Sequence, residues 1–220
     1  MKNYFIFDLD GTLYRFDDGK SNSFRNSGIF TELTRNRLSF VAKKFNLSLE
    51  ESESLLYEID KEFNDETSIG LEKKYDIDRY EYFENVWSMN PADYIKRNDS
   101  VKNLFDILNG RAVILTSAPR IWAESVLRYF DIYDNVRNFL FTGEPDLRKP
   151  NPDVFRSIIK YLNARPENVY SIGDQEYSDI IPAKIIGMKT IIIGSESEEA
   201  HYKIRTIDEL KDLLLREGLL

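Results

Sequence analysis

Short apolar runs of strand length alternate with amphipathic helical segments over most of the chain, which is the pattern of an α/β protein. The first run, 4–7, is rich in aromatic residues and is followed at once by polar ones. Four further runs have the same character: 112–115, 139–142, 169–172 and 190–193. Because helices separate these runs, the pattern predicts a Rossmann-like, three-layer α/β/α core with a parallel sheet and right-handed crossovers.

The segment 17–91 lacks this alternation. Apolar residues recur there at helical spacing from Ile29 onward, and no run in this part has the character of a strand. We therefore predict an all-helical domain at 17–91, roughly 70–80 residues and large enough to pack as a small bundle. The α/β core then comprises 1–16 and 92–220.

Several helix starts are marked in the sequence. A capping-box pattern, in which a Ser, Thr or Asp precedes a Glu by three residues, occurs at Ser48–Glu51, Asp78–Glu81 and Thr206–Glu209. Pro152 follows Asn151 at the first position of another predicted helix, where its missing N–H costs nothing.

Composition limits the classes of function. The chain has 220 residues, a net charge of −8 and no cysteine. The acidic balance argues against nucleic acid as a partner, since phosphate backbones are bound by clustered Lys and Arg. The lack of cysteine excludes disulfides and thiolate chemistry. No apolar run approaches the ~18 residues of a membrane span, so we expect a cytoplasmic protein, with a monomer as the default.

The candidate chemistry lies where the predicted strands end. The polar residues at these ends, with one lysine just ahead of a helix, are Asp8, Asp10, Thr116, Ser117, Lys149, Asp174 and Asp179. The carboxyl ends of parallel strands meet at one edge of a sheet, so these side chains are expected to converge. Several carboxylates with a lysine and a hydroxyl suit an oxyanion held by Mg²⁺, which prefers oxygen ligands.

The order and spacing of these residues resemble those of the haloacid dehalogenase superfamily of phosphohydrolases. The first motif is the run from Asp8 to Tyr14, Asp-Leu-Asp-Gly-Thr-Leu-Tyr. Thr116 resembles the second motif, Lys149 the third, and Gly173-Asp174 with Asp179 the fourth. The insertion between the first two motifs is similar to the helical cap of the family. The wording of the first motif and the segment 87–96 resemble pyrimidine 5′-nucleotidase-like members.

The resemblance implies a Mg²⁺-dependent phosphatase that acts on a small phosphorylated metabolite. Asp8 would be the nucleophile that forms an aspartyl-phosphate, and Asp10 the general acid and base. Mg²⁺ would be held by Asp8, by the carbonyl of Asp10 and by Asp174. Thr116, Lys149 and the backbone N–H of Ser117 would bind the phosphoryl group. Asp179 would orient a metal-bound water or Lys149, with a helix N-cap as its alternative.

Other interpretations stay open. A sugar-phosphate mutase retains the same motifs, and a non-catalytic binding protein could use the same fold. Sugar phosphates, nucleoside monophosphates and phosphoglycolate all remain candidate substrates. Specificity is expected to come from the helical domain and the loop before it, with Arg15, Asp18, Ser21, Arg25 and Asn26 as candidates. Trp122 and most tyrosines are interpreted as packing residues, and His201 as a surface residue without a functional role.

Overall fold

The structure is a computed structural model that describes residues 2–16 and 23–220. It contains two compact units, one formed by Met1–Ser23 with Pro91–Leu220 and the other by Phe24–Asn90. The specificity candidates Asp18 and Ser21 lie outside the described residues. Within the described ranges, none of the helices combines the length and apolarity that crossing a membrane requires.

The first unit is built on a six-stranded sheet in which every neighbouring pair is parallel. Its strands, numbered along the chain, are β1 (Tyr4–Phe7), β2 (Ala112–Leu115), β3 (Leu140–Phe141), β4 (Val169–Gly173), β5 (Lys189–Ile193) and β6 (Tyr202–Ile204). Their order across the sheet is β3-β2-β1-β4-β5-β6. The N-terminal strand therefore lies between β2 and β4, so the ends of these three strands meet at one edge.

The central strands are buried on both faces, which explains why they are nearly continuous apolar runs. Side chains alternate between the two faces of a strand, so Ile6 and Phe7 point to opposite sides of the sheet. Ile6 belongs to a core cluster with Phe155 and Ile158 on one side, and Phe7 packs against Phe105 on the other. The sheet is thus covered by helices on both faces, as the sequence predicted.

The helices of this unit lie between the strands in the chain, except for the last one, which follows β6. Their bounds are Asp99–Leu108, Arg120–Tyr129, Tyr133–Val136, Pro152–Leu162, Ile181–Ile185 and Leu210–Arg216. The helix Pro152–Leu162 begins as predicted, with the Asn151 side chain accepting a hydrogen bond from the Asp153 N–H. A π-helical turn, Glu176–Ile180, precedes Ile181–Ile185 and directly follows the loop after β4.

The second unit is helical throughout its described residues. Its helices are Gly28–Phe45, Leu49–Phe63, Thr67–Tyr75 and Arg79–Val86. The predicted capping box at Ser48 is confirmed, since its hydroxyl accepts from the Glu51 N–H at 3.2 Å and the Glu51 carboxylate accepts from the Ser48 N–H at 2.8 Å. Asp78 also caps a helix, but it accepts from the Tyr80 N–H, while Glu81 forms an ion pair with Lys44.

Three local predictions were wrong or incomplete. The Thr206 side chain makes no capping bond, because Ile207–Glu209 forms a 3₁₀ turn and the Glu209 carboxylate binds Arg205 instead. The helix Thr67–Tyr75 was missed, and it begins without a side-chain cap. Strand β6 was also missed, because only three residues pair with β5 and one of them is a lysine.

The capping box gives a direct test of stability in the second unit. We expect Ser48→Ala to lower the free energy of unfolding by about 1 kcal/mol, because it leaves an N–H at the helix start without its acceptor. Urea unfolding followed by circular dichroism would measure the change. Ser54→Ala is the matched control, since Ser54 lies in the same helix and only back-bonds to Glu50. Equal losses in the two variants would contradict the capping role.

Candidate active site

Asp8 is the first residue after β1 and lies at the centre of the sheet edge. Its N–H continues the ladder by donating to the Ile172 carbonyl at 2.9 Å. The chain then turns, with the Leu13 N–H donating to the Leu9 carbonyl at 2.9 Å and Gly11 at a φ of 84°. A positive φ favours glycine, so Gly11 allows the chain to turn directly after the strand end.

Lys149 links two carboxylates at this edge. Its Nζ lies 2.6 Å from Asp8 Oδ1 and 2.7 Å from Asp179 Oδ1, and all three side chains are buried. Burial by itself lowers the pKa of a lysine, but the charges of Asp179 and Asp8 outweigh it and raise the pKa of Lys149. The lysine therefore carries a full positive charge, with two of its three N–H donors directed at carboxylates.

Three carboxylates form a cluster that matches the ligand preference of a hard divalent cation. Asp8, Asp174 and Asp179 each place one oxygen within 4.8 Å of the others, and all three are buried. Burial, followed by the charges of Asp8 and Asp179, raises the pKa of Asp174 to about 8. A cation would relieve this repulsion, so the all-oxygen set suits Mg²⁺.

Asp179 supports the cluster rather than opening the next helix. Its Oδ1 accepts from Lys149, and its Oδ2 accepts from the Gln175 N–H at 3.1 Å. The N-cap of Ile181–Ile185 is Ile180, and Asp179 lies within the π-helical turn. Burial is the main cause that raises the pKa of Asp179, and the charge of Lys149 opposes it.

Gly173 makes this arrangement sterically possible. A Cβ atom at this position would come within 2.3 Å of the Asp179 carboxyl group. Gly173 therefore allows the carboxylate to pack directly on the end of β4, and Asp174 follows immediately. Both residues of this Gly-Asp pair thus have a structural role: Gly173 leaves room for Asp179, and Asp174 contributes a carboxylate to the cluster.

Asp10 has different surroundings from Asp8. Its Oδ1 accepts hydrogen bonds from Trp122 Nε1 at 2.8 Å and from the Tyr14 hydroxyl. Its Oδ2 lies 3.4 Å from Thr116 Oγ1. Burial and then the nearby charge of Asp8 raise the pKa of Asp10 to about 6, although the Tyr14 and Trp122 bonds partly lower it. A carboxyl of this kind can give up and take back a proton near neutral pH.

Thr116 directly follows β2 and lies next to Asp10. Its Oγ1 accepts from the Ala118 N–H at 3.0 Å and donates to Asp10 Oδ2 over a longer distance, 3.4 Å. Ser117 follows in the exposed turn after the strand. Gly143 packs against this turn, since a Cβ atom there would lie 1.9 Å from the Ser117 carbonyl oxygen. Gly143 therefore fixes how the turn after β2 is placed, and nothing in the sequence singled it out.

The structure thus brings together Asp8, Asp10, Thr116, Lys149, Asp174 and Asp179 at one edge of the sheet. Thr12 and Trp122 also contact these residues, and neither was among the predicted site residues. The Thr12 hydroxyl donates to Asp8 Oδ2 at 2.8 Å. Trp122 is fully buried, as predicted for a packing residue, but its indole N–H reaches Asp10.

Residues predicted at the margins have other contacts. Arg15 is exposed and approaches Gly194, and Arg25 lies 3.9 Å from Asp65 with both side chains largely exposed. His201 Nδ1 lies 2.9 Å from Thr190 Oγ1 on the C-terminal half of the sheet. These contacts assign no role in the carboxylate cluster to any of them.

Comparison with known proteins identifies relatives of this arrangement. A family model described as haloacid dehalogenase-like hydrolase matches residues 3–187. Glyceraldehyde 3-phosphate phosphatase from Pyrococcus furiosus is 31% identical over 104 residues, which span 43% of this chain and 43% of that protein. The protein of the same name from Methanocaldococcus jannaschii is 25% identical, with 95% of each chain covered. The Pyrococcus match thus spans less than half of its relative.

A solved structure shares the fold. The HAD phosphatase from Thermococcus onnurineus superimposes with a TM-score of 0.64 at 21% identity, covering 97% of this chain and 98% of that one. At this identity the likeness supports the α/β architecture and not a particular substrate.

The Lys149 contacts predict a large loss of stability when the ammonium is removed. We expect Lys149→Met to lower the free energy of unfolding by about 3–5 kcal/mol at pH 7, because two buried carboxylates lose their cation. Lys184→Met is the control, since Lys184 pairs with Glu199 at 2.8 Å on the exposed surface and should cost less than about 1 kcal/mol. Similar losses in urea unfolding would contradict the buried-charge account.

The raised pKa of Asp174 predicts a pH dependence in metal-free buffer. In the folded protein this group keeps its proton up to about pH 8, against a usual pKa of 3.8. Between these two pKa values the folded protein binds more protons than the unfolded chain. The stability that the proton on Asp174 confers is therefore complete below pH 3.8 and is lost as the pH rises through 8. We expect the free energy of unfolding to fall between pH 5.5 and 8. Thermal unfolding without and with Mg²⁺ would measure this, and Mg²⁺ should stabilise more at pH 8 than at pH 6.

Asp174→Asn should flatten that pH dependence and reduce the effect of Mg²⁺. Asp134→Asn, at an exposed carboxylate paired with Arg137, should leave both unchanged. A Mg²⁺ effect of the same size in both variants would argue against Asp174 as a ligand.

Proposed function

The chain belongs to the haloacid dehalogenase-like hydrolases, and from this premise we propose that it is a Mg²⁺-dependent phosphatase that hydrolyses a small phosphomonoester through an aspartyl-phosphate. One observation carries the proposal. Asp8 and Asp10 lie two residues apart at the same sheet edge, but their carboxyl groups have different hydrogen-bond donors. Asp8 accepts from the charged ammonium of Lys149, whereas Asp10 accepts from the neutral indole of Trp122. Such a difference suits two different roles in one reaction.

Asp8 is the proposed nucleophile. Its two oxygens accept from Lys149 and Thr12, which fix the carboxylate at the strand end. In the first step an Asp8 oxygen bonds to phosphorus while the bond from phosphorus to the leaving oxygen breaks. In the second step water attacks the aspartyl-phosphate, inorganic phosphate leaves, and the Asp8 carboxylate is restored.

Asp10 is the proposed general acid and base. In the first step it donates a proton to the leaving oxygen, and in the second it accepts a proton from the attacking water. Its raised pKa of about 6 supports this exchange, because burial disfavours the charged form while the Tyr14 and Trp122 bonds restore part of its stability.

Lys149, Thr116 and the backbone N–H of Ser117 are proposed to bind the phosphoryl oxygens. Lys149 uses two of its donors on carboxylates, so one remains for a phosphoryl oxygen. The Thr116 hydroxyl accepts from Ala118 and can direct its own proton towards the phosphoryl group. Catalysis of phosphoryl transfer depends mainly on such positioning and charge stabilisation.

Mg²⁺ would be held by Asp8, Asp174 and the carbonyl of Asp10, with Asp179 orienting Lys149. When bound, the cation supplies positive charge that offsets the phosphate charge and aligns it with the nucleophile. The cluster supports this role, since three buried carboxylates lie within 4.8 Å of one another and Lys149 forms ion pairs with two of them, Asp8 and Asp179. A phosphate ester could hardly enter such a site without a further positive charge.

The substrate proposed first is a small aliphatic phosphate with an unactivated leaving oxygen. Three curated relatives bear the name glyceraldehyde 3-phosphate phosphatase, and one of them aligns over 95% of each chain. A proton donor such as Asp10 matters most for such leaving groups, because an alkoxide is a poor one. Both three-carbon phosphates and nucleoside monophosphates have such a leaving group, and the names of the relatives place three-carbon phosphates first in a screen.

Hydrolysis of p-nitrophenyl phosphate and of glyceraldehyde 3-phosphate, without and with Mg²⁺, tests the proposal. Asp8→Asn should abolish both reactions and prevent formation of a phosphoenzyme in acid-quenched mass spectra. Asp10→Asn should slow the aliphatic ester by about 10²–10⁴-fold and the nitrophenyl ester much less, as expected for loss of general acid catalysis. Absence of Mg²⁺-dependent release by the unaltered protein would refute the phosphatase assignment.

A further inference from the structure

Trp122 is a core side chain that also makes a hydrogen bond at this edge of the sheet. It is fully buried in the helix Arg120–Tyr129, and its Nε1 donates to Asp10 Oδ1 at 2.8 Å. The Tyr14 hydroxyl donates to the same oxygen. Asp10 Oδ1 thus receives two neutral donors, whereas among the described residues Oδ2 accepts a single long hydrogen bond, from Thr116 Oγ1 at 3.4 Å.

The two donors are themselves held in place. The Tyr14 ring lies edge-on to Phe16, with ring centroids 5.7 Å apart, and stacks on Phe130 at 6.5 Å. The Trp122 side chain is wholly enclosed. An indole N–H is a donor only, so it can bind a lone pair on Oδ1 and cannot accept a proton from it. The two aromatic groups therefore distinguish the two oxygens of one carboxyl.

We propose that Trp122 and Tyr14 are positioning residues that hold Asp10 by Oδ1, so that Oδ2 is the oxygen that exchanges the proton. The inference rests on the proposed phosphatase function and assigns to that reaction two residues that act through their hydrogen bonds to Asp10. Holding the carboxyl by one oxygen fixes its plane and sets the direction of the proton on the other.

The proton balance follows from this assignment. The Oδ2–H proton passes to the leaving oxygen as the bond between phosphorus and that oxygen breaks, which yields the free alcohol and an Asp10 carboxylate. In hydrolysis of the aspartyl-phosphate, the attacking water bonds to phosphorus and its proton returns to Oδ2. Trp122 and Tyr14 donate to Oδ1 throughout and exchange no proton.

The test is the dependence of the rate on the leaving group. Trp122→Phe retains an aromatic ring at this position. It removes the indole N–H and makes the ring system smaller. The value of kcat/KM would be measured for an alkyl phosphate, phenyl phosphate and 2,4-dinitrophenyl phosphate, with Asp10→Asn as the reference. A highly activated leaving group needs no protonation, so misplacing the acid should barely affect it.

We expect Trp122→Phe to reduce kcat/KM for the alkyl phosphate by at least about tenfold, the order of one hydrogen bond to a charged acceptor. The change for 2,4-dinitrophenyl phosphate should stay within about twofold, since proton donation contributes little there. Tyr14→Phe, which loses only its hydroxyl, should show the same dependence and provides a second variant if Trp122→Phe fails to fold. Trp87→Phe and Tyr161→Phe are the matched controls, at a tryptophan of the other unit and at an exposed tyrosine.

The outcomes separate this inference from the function on which it rests. Equal losses for all leaving groups, or no loss in either variant, would overturn the positioning role while the phosphatase activity stood. No Mg²⁺-dependent hydrolysis by the unaltered protein would overturn the proposed function and the positioning role with it. A loss confined to poor leaving groups, matching the trend of Asp10→Asn, would support the assignment.

Discussion

The ammonium group of Lys149, buried between the carboxylates of Asp8 and Asp179, is the interaction on which the rest of the site depends. It joins three segments that are far apart in the sequence: the end of β1, the loop before Pro152–Leu162 and the turn after β4. A buried charge without a partner is costly, so each of these segments is held in place by the other two. Around this contact the buried carboxylates of Asp8, Asp174 and Asp179 lie within 4.8 Å of one another, and the proposed Mg²⁺ site rests on that arrangement.

The sheet order explains how a short motif at the N-terminus becomes the centre of the site. Strand β1 lies between β2 and β4, so Asp8 is flanked on one side by the end of β2 and on the other by the end of β4. In open parallel sheets, ligands bind in the crevice outside the carboxyl ends of the strands. This crevice forms where the loops after two neighbouring strands run in opposite directions. The central position of β1 also buries the strand on both faces, and Asp8 at its end is buried as well.

The sequence was sufficient for the features that depend on local chemistry. Apolar runs of strand length, the capping box at Ser48 and the proline at position 152 each express a backbone requirement in neighbouring residues. The convergence of Asp8 and Asp174 also followed, because parallel topology determines where strand ends lie. These predictions needed the order of elements and no detailed packing.

What could not be predicted depends on contacts between distant residues. The pattern at Thr206 equals that at Ser48, yet Glu209 is taken by Arg205 and the capping box is not formed. Gly143 has no sequence neighbour that requires it, since its constraint is the Ser117 carbonyl 26 positions earlier in the chain. Side-chain partners of this kind arise only after the strands and helices have packed.

Asp10 shows most clearly how packing assigns chemistry. Asp10 is the same residue type as Asp8 and lies only two positions later in the sequence. The Asp8 carboxyl accepts from an ammonium, whereas the Asp10 carboxyl accepts from an indole and a phenol. A buried tryptophan N–H must find an acceptor, and composition alone cannot say which acceptor that is. In this protein the acceptor is a carboxyl oxygen at the candidate site, so a fully buried core side chain is also hydrogen-bonded to a residue of that site. Trp122 therefore belongs both to the hydrophobic core and to the candidate site.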